Sequence, residues 1–261
     1  MRTIRAVLPA LAAIAAVLVA GPSIAADAVE PPPQSAPVWT FTAAPYFWAA
    51  GLDGTVGVFG LPPVEVDASF GDIIQNFDIG FMGAGEARYG RFGIAMDVMY
   101  VRVSTSADTP FGVVAHHIDA TSTTFTAFGA AEYRLVETDK MSFDVLGGAR
   151  VWSLKNELDP VGGLADPLSF SESKAWVDPI IGAKARVDLS SDFYLTGWGM
   201  IGGFGAGSKL TWDVMGALGY EVSDTVSLIA GWRALGVDYE DGPFIYDVVE
   251  SGPILGATIK F

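Results

Sequence analysis

The sequence predicts an all-β chain closed into an antiparallel transmembrane β-barrel of about ten strands. Three observations carry that prediction. Segments after Val38 alternate apolar and polar residues with period two, and helical periodicity is nearly absent. One face of most segments is free of charge over roughly 8–11 residues, the length a tilted strand needs to cross hydrocarbon. Mean hydropathy is high, +0.38, yet no apolar run after Ala20 is long enough for a helical span.

The N-terminal elements come first. Arg2 and Arg5 precede an apolar run from Ala6 to Ala20, then Gly21-Pro22, with small residues at Ser23 and Ala25. That pattern reads as a secretory signal peptide over residues 1–25, cut after Ala25, because the run is shorter than the ~20 residues of a spanning helix. Residues 26–38 read as a Pro-rich periplasmic leader, and 39–261 as the barrel. The chain contains no cysteine, so disulfides are excluded and stability must come from ladders and packing. A net charge of −15 repels phosphate and excludes nucleic acid as a partner.

Parity then assigns faces, since a strand sends successive side chains to opposite sides. In Met141–Lys155, Phe143, Val145, Ala149 and Val151 oppose Asp144, Arg150 and Trp152. In Ala175–Val187, Val177, Ile181 and Val187 oppose Asp178, Lys184 and Arg186. In Lys209–Val222, Leu218 and Tyr220 oppose Asp213 and Glu221, and in Arg91–Tyr100 the apolar residues oppose Asp97. Aromatics at the ends of the clean face (Tyr89, Phe92, Tyr133, Phe193, Tyr220, Trp232) have the placement of interfacial girdles. Ten strands follow: 39–58, 78–88, 91–106, 114–135, 141–157, 172–187, 193–204, 208–222, 226–239 and 244–261. Short links at 89–90, 136–140, 188–192 and 222–225 read as periplasmic turns. Links at 59–77, 107–113, 157–172, 204–208 and 239–243 read as longer, acidic external loops. Segment 59–77 leaves eight and twelve strands open: Val64–Phe70 can pair with the first strand, and Gly71–Phe77 can form a helical turn or two.

The last segment, "ILGATIKF", is apolar, alternating and aromatic at its end. A barrel has no free edge, so this strand is expected to pair with the first. It resembles the C-terminal assembly signal of bacterial outer-membrane proteins, with Phe261 and Ile259 as its carriers. That resemblance implies recognition by the barrel-assembly machinery. The stretch from Pro45 to Ser104, with its "F-G-D-I" segment and "E-A-R-Y-G-R-F-G" hairpin, resembles a family of uncharacterised proteobacterial outer-membrane proteins of the porin-like β-barrel type. The resemblance implies fold and a location in the bacterial outer membrane, with lipid and lipopolysaccharide as surroundings, and no activity.

Candidate chemistry lies on the inward face. Parity puts Glu86, Arg88, Asp97, Glu132, Arg134, Asp144, Arg150, Asp178, Lys184, Arg186, Asp213 and Arg233 toward the lumen. Buried charge is tolerable only when paired, so an ion-pair network that fills and stiffens the barrel is expected. The sharper alternative is a charged constriction that sorts solutes. Tyr46, Trp48, Phe128, Trp152, Trp176, Tyr194 and Trp198 share the inward parity, and favour a filled interior or a narrow apolar site. His116 and His117 face opposite ways on a strand. His117 and Asp119 share a face, but two ligands do not make a zinc site, so neither metal nor cofactor is expected. "GGFGAGSK" at 202–209 has the wrong order for a phosphate loop and no helix after it. No catalytic residue set is recognisable. Acidic residues Asp53, Glu65, Asp67, Asp72, Glu157, Asp159, Asp166, Glu172, Asp238, Glu240 and Asp241 are assigned to the external links, where their charge serves solvation or holds divalent cations weakly. The expected function is therefore a small, largely closed barrel with a structural or surface-interaction role. A narrow porin-like channel comes second and an outer-membrane enzyme third.

Overall fold

Alternation after Val38 resolves into strands with a single helical interruption. The computed structural model describes residues 38–108, 116–163 and 168–261. The expected signal peptide and almost all of the leader lie outside the described residues. Their elements are β1 (Trp39–Trp48), β2 (Gly51–Gly57), β3 (Val64–Ala68), α1 (Phe70–Gln75), β4 (Phe77–Tyr89), β5 (Phe92–Asp108), β6 (His117–Glu137), β7 (Met141–Val161), β8 (Phe170–Asp188), β9 (Phe193–Gly202), β10 (Leu210–Glu221), β11 (Val226–Asp241) and β12 (Phe244–Lys260). No helix among the described residues is long and apolar enough to cross a membrane.

The barrel closes antiparallel. β4 to β12 pair in chain order, β1 pairs with β4 on one side and β12 on the other, and β2 continues β1 against β12. β1 and β2 are therefore one wall strand broken at Ala49–Ala50, and the barrel has ten. The predicted single strand 39–58 is corrected by that break. Gly252 explains it: a Cβ there would lie 2.0 Å from the Ala49 carbonyl oxygen. Only glycine lets β12 come that close, and Ala49 N–H bonds Pro253 O at 2.9 Å across the bend. The seam is closed as expected. Thr42 opposes Lys260, Ala43 opposes Ile259, and Phe261 N–H bonds Phe41 O at 2.9 Å.

Segment 59–77 resolves both of its open readings. Val64–Ala68 pairs with β2 (Leu52 opposite Ala68, Val56 opposite Val64) without joining the barrel wall. Phe70–Gln75 is a short helix whose start is a capping box. The Ser69 hydroxyl accepts from Asp72 N–H at 3.2 Å, while Asp72 Oδ2 accepts from Ser69 N–H at 3.0 Å.

An apolar belt runs round the outside, as a lipid-facing surface requires. Ile94, Met96, Val145, Val151, Val177, Ile181, Leu218, Leu228 and Leu255 are exposed on it. Its edge near the termini carries aromatic neighbours on adjacent strands. Trp39 and Tyr89 lie 5.3 Å apart, Phe92 and Tyr133 5.0 Å, and Phe193 and Tyr220 5.1 Å. Of the predicted girdle, only Trp232 marks the far edge. β6 and β7 each run 21 residues, well beyond the ~9–11 that hydrocarbon demands. Past Val151 the outward residues of β7 are Ser153, Lys155 and Glu157, so the excess length stands in water. This corrects the loop assignments. Asp53, Glu65, Asp67, Glu157, Asp159, Glu172, Asp238, Glu240 and Asp241 lie on strands, and Asp72 on α1. The link at 239–243 shrinks to Gly242-Pro243, and Asp166 lies outside the described residues. Backbone ladders sustain these strands although their outer face no longer needs to be apolar.

Two places in the wall lack a neighbour at the far end. β9 is only 10 residues long, so the β8–β9 ladder ends at Ile180 opposite Gly202. Above it, on that side, β8 meets only the 203–209 turn, whose Gly203 N–H bonds Pro179 O at 3.1 Å. On the other flank, the β1–β4 ladder stops at Pro45 opposite Gly83. A proline donates no hydrogen bond and ends such a ladder. Above it, β2 pairs with β3, and Phe77–Met82 of β4 pairs only with β5.

Candidate functional site

The lumen is filled in three layers. The middle layer is built on Arg233 of β11. Its guanidinium donates to Asp213 of β10 (Nη2 to Oδ2, 2.7 Å; Nε to Oδ1, 3.2 Å), to Asp97 of β5 (3.0 Å), and to Tyr46 Oη (2.7 Å). Tyr46 in turn donates to Asp97 at 2.8 Å, and Trp198 Nε1 donates to Asp213 at 2.9 Å. Arg150 of β7 reaches the same Asp213 at 2.5 Å and faces the Phe128 ring. Arg150, Asp213 and Arg233 are each 1% exposed. Two arginines are bonded to two aspartates here: Arg233 is fixed by carboxylates from two other strands, whereas Arg150 is held by Asp213 alone, with its Nε and Nη1 buried without a hydrogen-bond partner. Buried ions are tolerated in that arrangement and in few others.

Nearer the termini lies a second cluster. Arg88 bonds Glu132 at 2.5 Å and Glu86 at 2.7 Å, and stands 3.1 Å from Asp144. Arg134 holds Asp144 with two nitrogens at 3.0 and 3.2 Å. Lys184 joins Glu132 at 2.8 Å and also bonds Glu86. Arg186 sits at the rim with Glu221 (2.6 Å) and Asp188 (2.8 Å), its guanidinium 3.5 Å from the Tyr194 ring centre. This cluster surrounds a vestibule of about 420 Å³ that reaches inward as far as Asp97 and Arg233.

The third layer, toward the long strands, is aromatic. Trp152 and Trp176 stack at 5.7 Å, and Trp176 and Tyr239 at 3.8 Å with planes 5° apart. Tyr246 and Phe244 meet them edge-on. Together with Leu235 and Leu154 they form the largest buried apolar cluster.

All twelve predicted charged residues face inward, yet they do not form one network. Eleven fall into the two ion-pair clusters and the rim pair. Asp178 is the exception. It stands opposite Arg150 in the β7–β8 register, but its carboxylate accepts from Trp176 Nε1 (3.1 Å) and the Ser208 amide (2.6 Å). Asp178 therefore fastens a loop rather than an arginine. That loop is the glycine-rich 203–209 turn, with Gly203, Phe204 and Gly205 at positive φ, tucked into the mouth beside short β9. The register gives a neighbour, while rotamer and height decide who bonds whom.

Sequence reasoning missed Tyr239, Phe244 and Tyr246 of the aromatic layer, the rim partners Asp188 and Glu137, and Glu250; it set Glu221 on the inward face without naming it as Arg186's partner. Parity along β12 places Glu250 on the Lys260 face, so its inward position was readable. Of the acidic set, Glu157 is bonded by Lys155, Asp241 by Lys174 and Glu240 by Lys209. Among the described residues, no group of three or more His, Asp or Glu is placed to hold a metal ion. His117 lies 3.7 Å from Asp119, both partly exposed.

No family model and no curated protein sequence matches the chain, so the resemblance of 45–104 to an uncharacterised family has no counterpart among them. Among solved structures, the fold is similar to that of the outer membrane protease OmpT from Escherichia coli. The TM-score is 0.52 at 10% identity, over 85% of this chain and 97% of that one. Similarity also extends to Ail, the attachment invasion locus protein of Yersinia pestis (TM-score 0.36, 13% identity, 85% and 98% covered), and to Neisserial surface protein A (0.32, 15%, 85% and 97%). At these identities the likeness is one of fold. The chain has the architecture of bacterial outer-membrane barrels.

Proposed function

We propose that the protein is a closed structural barrel of the bacterial outer membrane, embedded in lipid and lipopolysaccharide, with no catalytic role. The observation that supports this most is the middle layer, where Arg150, Asp213, Arg233 and Asp97 cross the lumen with their charges mutually bonded. Such a layer leaves little room for water and resists rearrangement, because separating one partner exposes an uncompensated ion. The aromatic layer above it adds a second barrier.

The vestibule favours one second reading, a narrow channel. It is walled by charges of both signs set among apolar side chains, and charges so placed can sort solutes. Single-channel recording of the refolded protein in a planar bilayer separates the two. Silence from protein shown to be inserted is expected. Discrete, ion-selective openings that change in Asp97→Asn would overturn the closed barrel and make the middle layer a filter.

A further inference from the structure

The break in the wall between β1 and β4 is occupied by a cavity rather than by side chains. It has a volume of about 410 Å³, within the ~300–1,000 Å³ of small-molecule sites and well above the ~150 Å³ that accommodates benzene. Its lining comes from both faces of the wall. Phe47 and Phe77 belong to the outer, lipid-facing surface, whereas Trp48, Met82 and Met99 belong to the interior. A cavity bordered by both faces passes through the wall. It lies where β4 has no ladder partner on its β1 side, so no β1–β4 backbone pairing bars it. Its height is that of the far edge of the apolar belt: Phe47 opposes Leu255 on β12, two residues from the Pro253 that opposes Trp232.

One charged group borders this apolar space. Glu250 of β12 lines it, and its Oε2 is buried with no hydrogen-bond partner. Every other lumen-facing carboxylate described above is bonded. A carboxylate oxygen left bare beside an apolar chamber is costly unless a donor arrives to meet it. We propose that this cavity binds a small cationic amphiphile. A single alkyl chain enters from the lipid side past α1, whose Phe70, Ile73 and Ile74 line the outer side of the cavity over the β1–β4 opening, and its ammonium pairs with Glu250. The site is separate from the vestibule, which lies across the middle layer, and does not depend on whether the barrel conducts.

Photolabelling tests it. The full-length mature barrel, in phosphatidylcholine nanodiscs, is irradiated with an alkylamine bearing a diazirine on the chain carbons next to its ammonium, and labelled residues are mapped by mass spectrometry. Saturable labelling of inward Met82 and Met99 is expected. It should fall at least tenfold in Glu250→Gln, which removes the charge, and in Ala50→Phe, which fills the cavity. Retention of the folded-barrel band on unheated gels verifies both variants. A diazirine-bearing phosphatidylethanolamine in a parallel arm identifies the source: inward labelling by it assigns a bilayer lipid, and labelling by the free amine alone assigns a free amphiphile. Labels confined to outward Phe81, Ile79 and Phe47, or inward labels unchanged by Ala50→Phe, overturn the site. Equal inward labelling by a neutral alkyl diazirine, unaffected by Glu250→Gln, overturns the role of the carboxylate.

Discussion

Two flanks of this barrel face the same difficulty and resolve it differently. Beside β9 and beside β1, a wall strand stops short and leaves its neighbour without a ladder. At the β9 flank the opening is closed. Loop 203–209 folds in, Asp178 holds it by the Ser208 amide, Trp176 stacks on Tyr239, and Lys174 joins Asp241 at 2.7 Å across the mouth. At the β1 flank, β3 and α1 cover the opening from outside and bury none of α1's residues. Polar anchoring plus flat ring contact closes a wall, whereas apolar cover alone leaves a chamber. Open ladder edges need not be liabilities in a membrane barrel when something specific fills or shields them.

The largest effect should come from the layer that both flanks rest on. Arg233→Met strips Asp97 and Tyr46 of their cation and leaves Asp213 with Arg150 alone. A loss of about 3–5 kcal/mol is expected in urea unfolding of the refolded protein. A loss below about 1 kcal/mol would mean that the two arginines are redundant. Next comes the sealed flank. Asp178→Ala orphans two buried donors and should cost about 2–3 kcal/mol. It should also open 203–209 to proteases while leaving the β1 flank unchanged, as peptide mapping would show. If cleavage appears at both flanks, the two are coupled and the contrast between them fails. Tyr239→Leu removes the ring stacked on Trp176 and should cost about 0.5–1.5 kcal/mol beyond lost area.

The smallest effects belong to the open flank. Ser69→Ala removes the cap of α1, worth about 1 kcal/mol locally. Amide exchange should quicken in 70–76 with no change in global unfolding. Acid should loosen the same turn. The Ser69 hydroxyl and amide hold the Asp72 carboxyl below its usual range. A carboxylate so depressed stabilises the cap above its ordinary pKa of ~3.9, and that stabilisation is lost as pH falls through the lowered value. The protection factor of the α1 amides, taken against the intrinsic exchange rate at each pH, should therefore be flat from neutral down to about pH 5 and fall only in stronger acid.

How much of this was legible follows from where water and lipid constrain the chain. Inside the apolar belt, period-two alternation separates Val151 from Arg150 and Leu218 from Asp213 without ambiguity, so ten strands and twelve inward charges emerge from parity. Above the belt both faces meet water, alternation loses its driving force, and strand ends such as Leu158–Val161 or Glu240–Asp241 read as loops. Parity also reports a face, not an azimuth. It places Arg150 and Asp178 side by side but cannot say that Arg150 turns to Asp213 across the lumen. The break at Ala49–Ala50 was hidden for a related reason: its cause, Gly252, lies at the other end of the chain.

That distance along the chain has a kinetic consequence. Every barrel pairing from β4 to β12 joins sequence neighbours through a hairpin. β1 reaches β4 across the intervening β2, β3 and α1, Trp39 opposite Tyr89, and the seam of β12 with β1 and β2 spans by far the longest stretch of chain, Thr42 with Lys260 being one contact. Closing a tight hairpin loop costs on the order of 1 kcal/mol of chain entropy; closing this seam with the rest unformed would cost roughly 4–5. Assembly should thus advance hairpin by hairpin and finish with one slow docking event. Truncating Lys260 and Phe261 should slow only that last phase, leaving a nearly complete sheet waiting for its final edge.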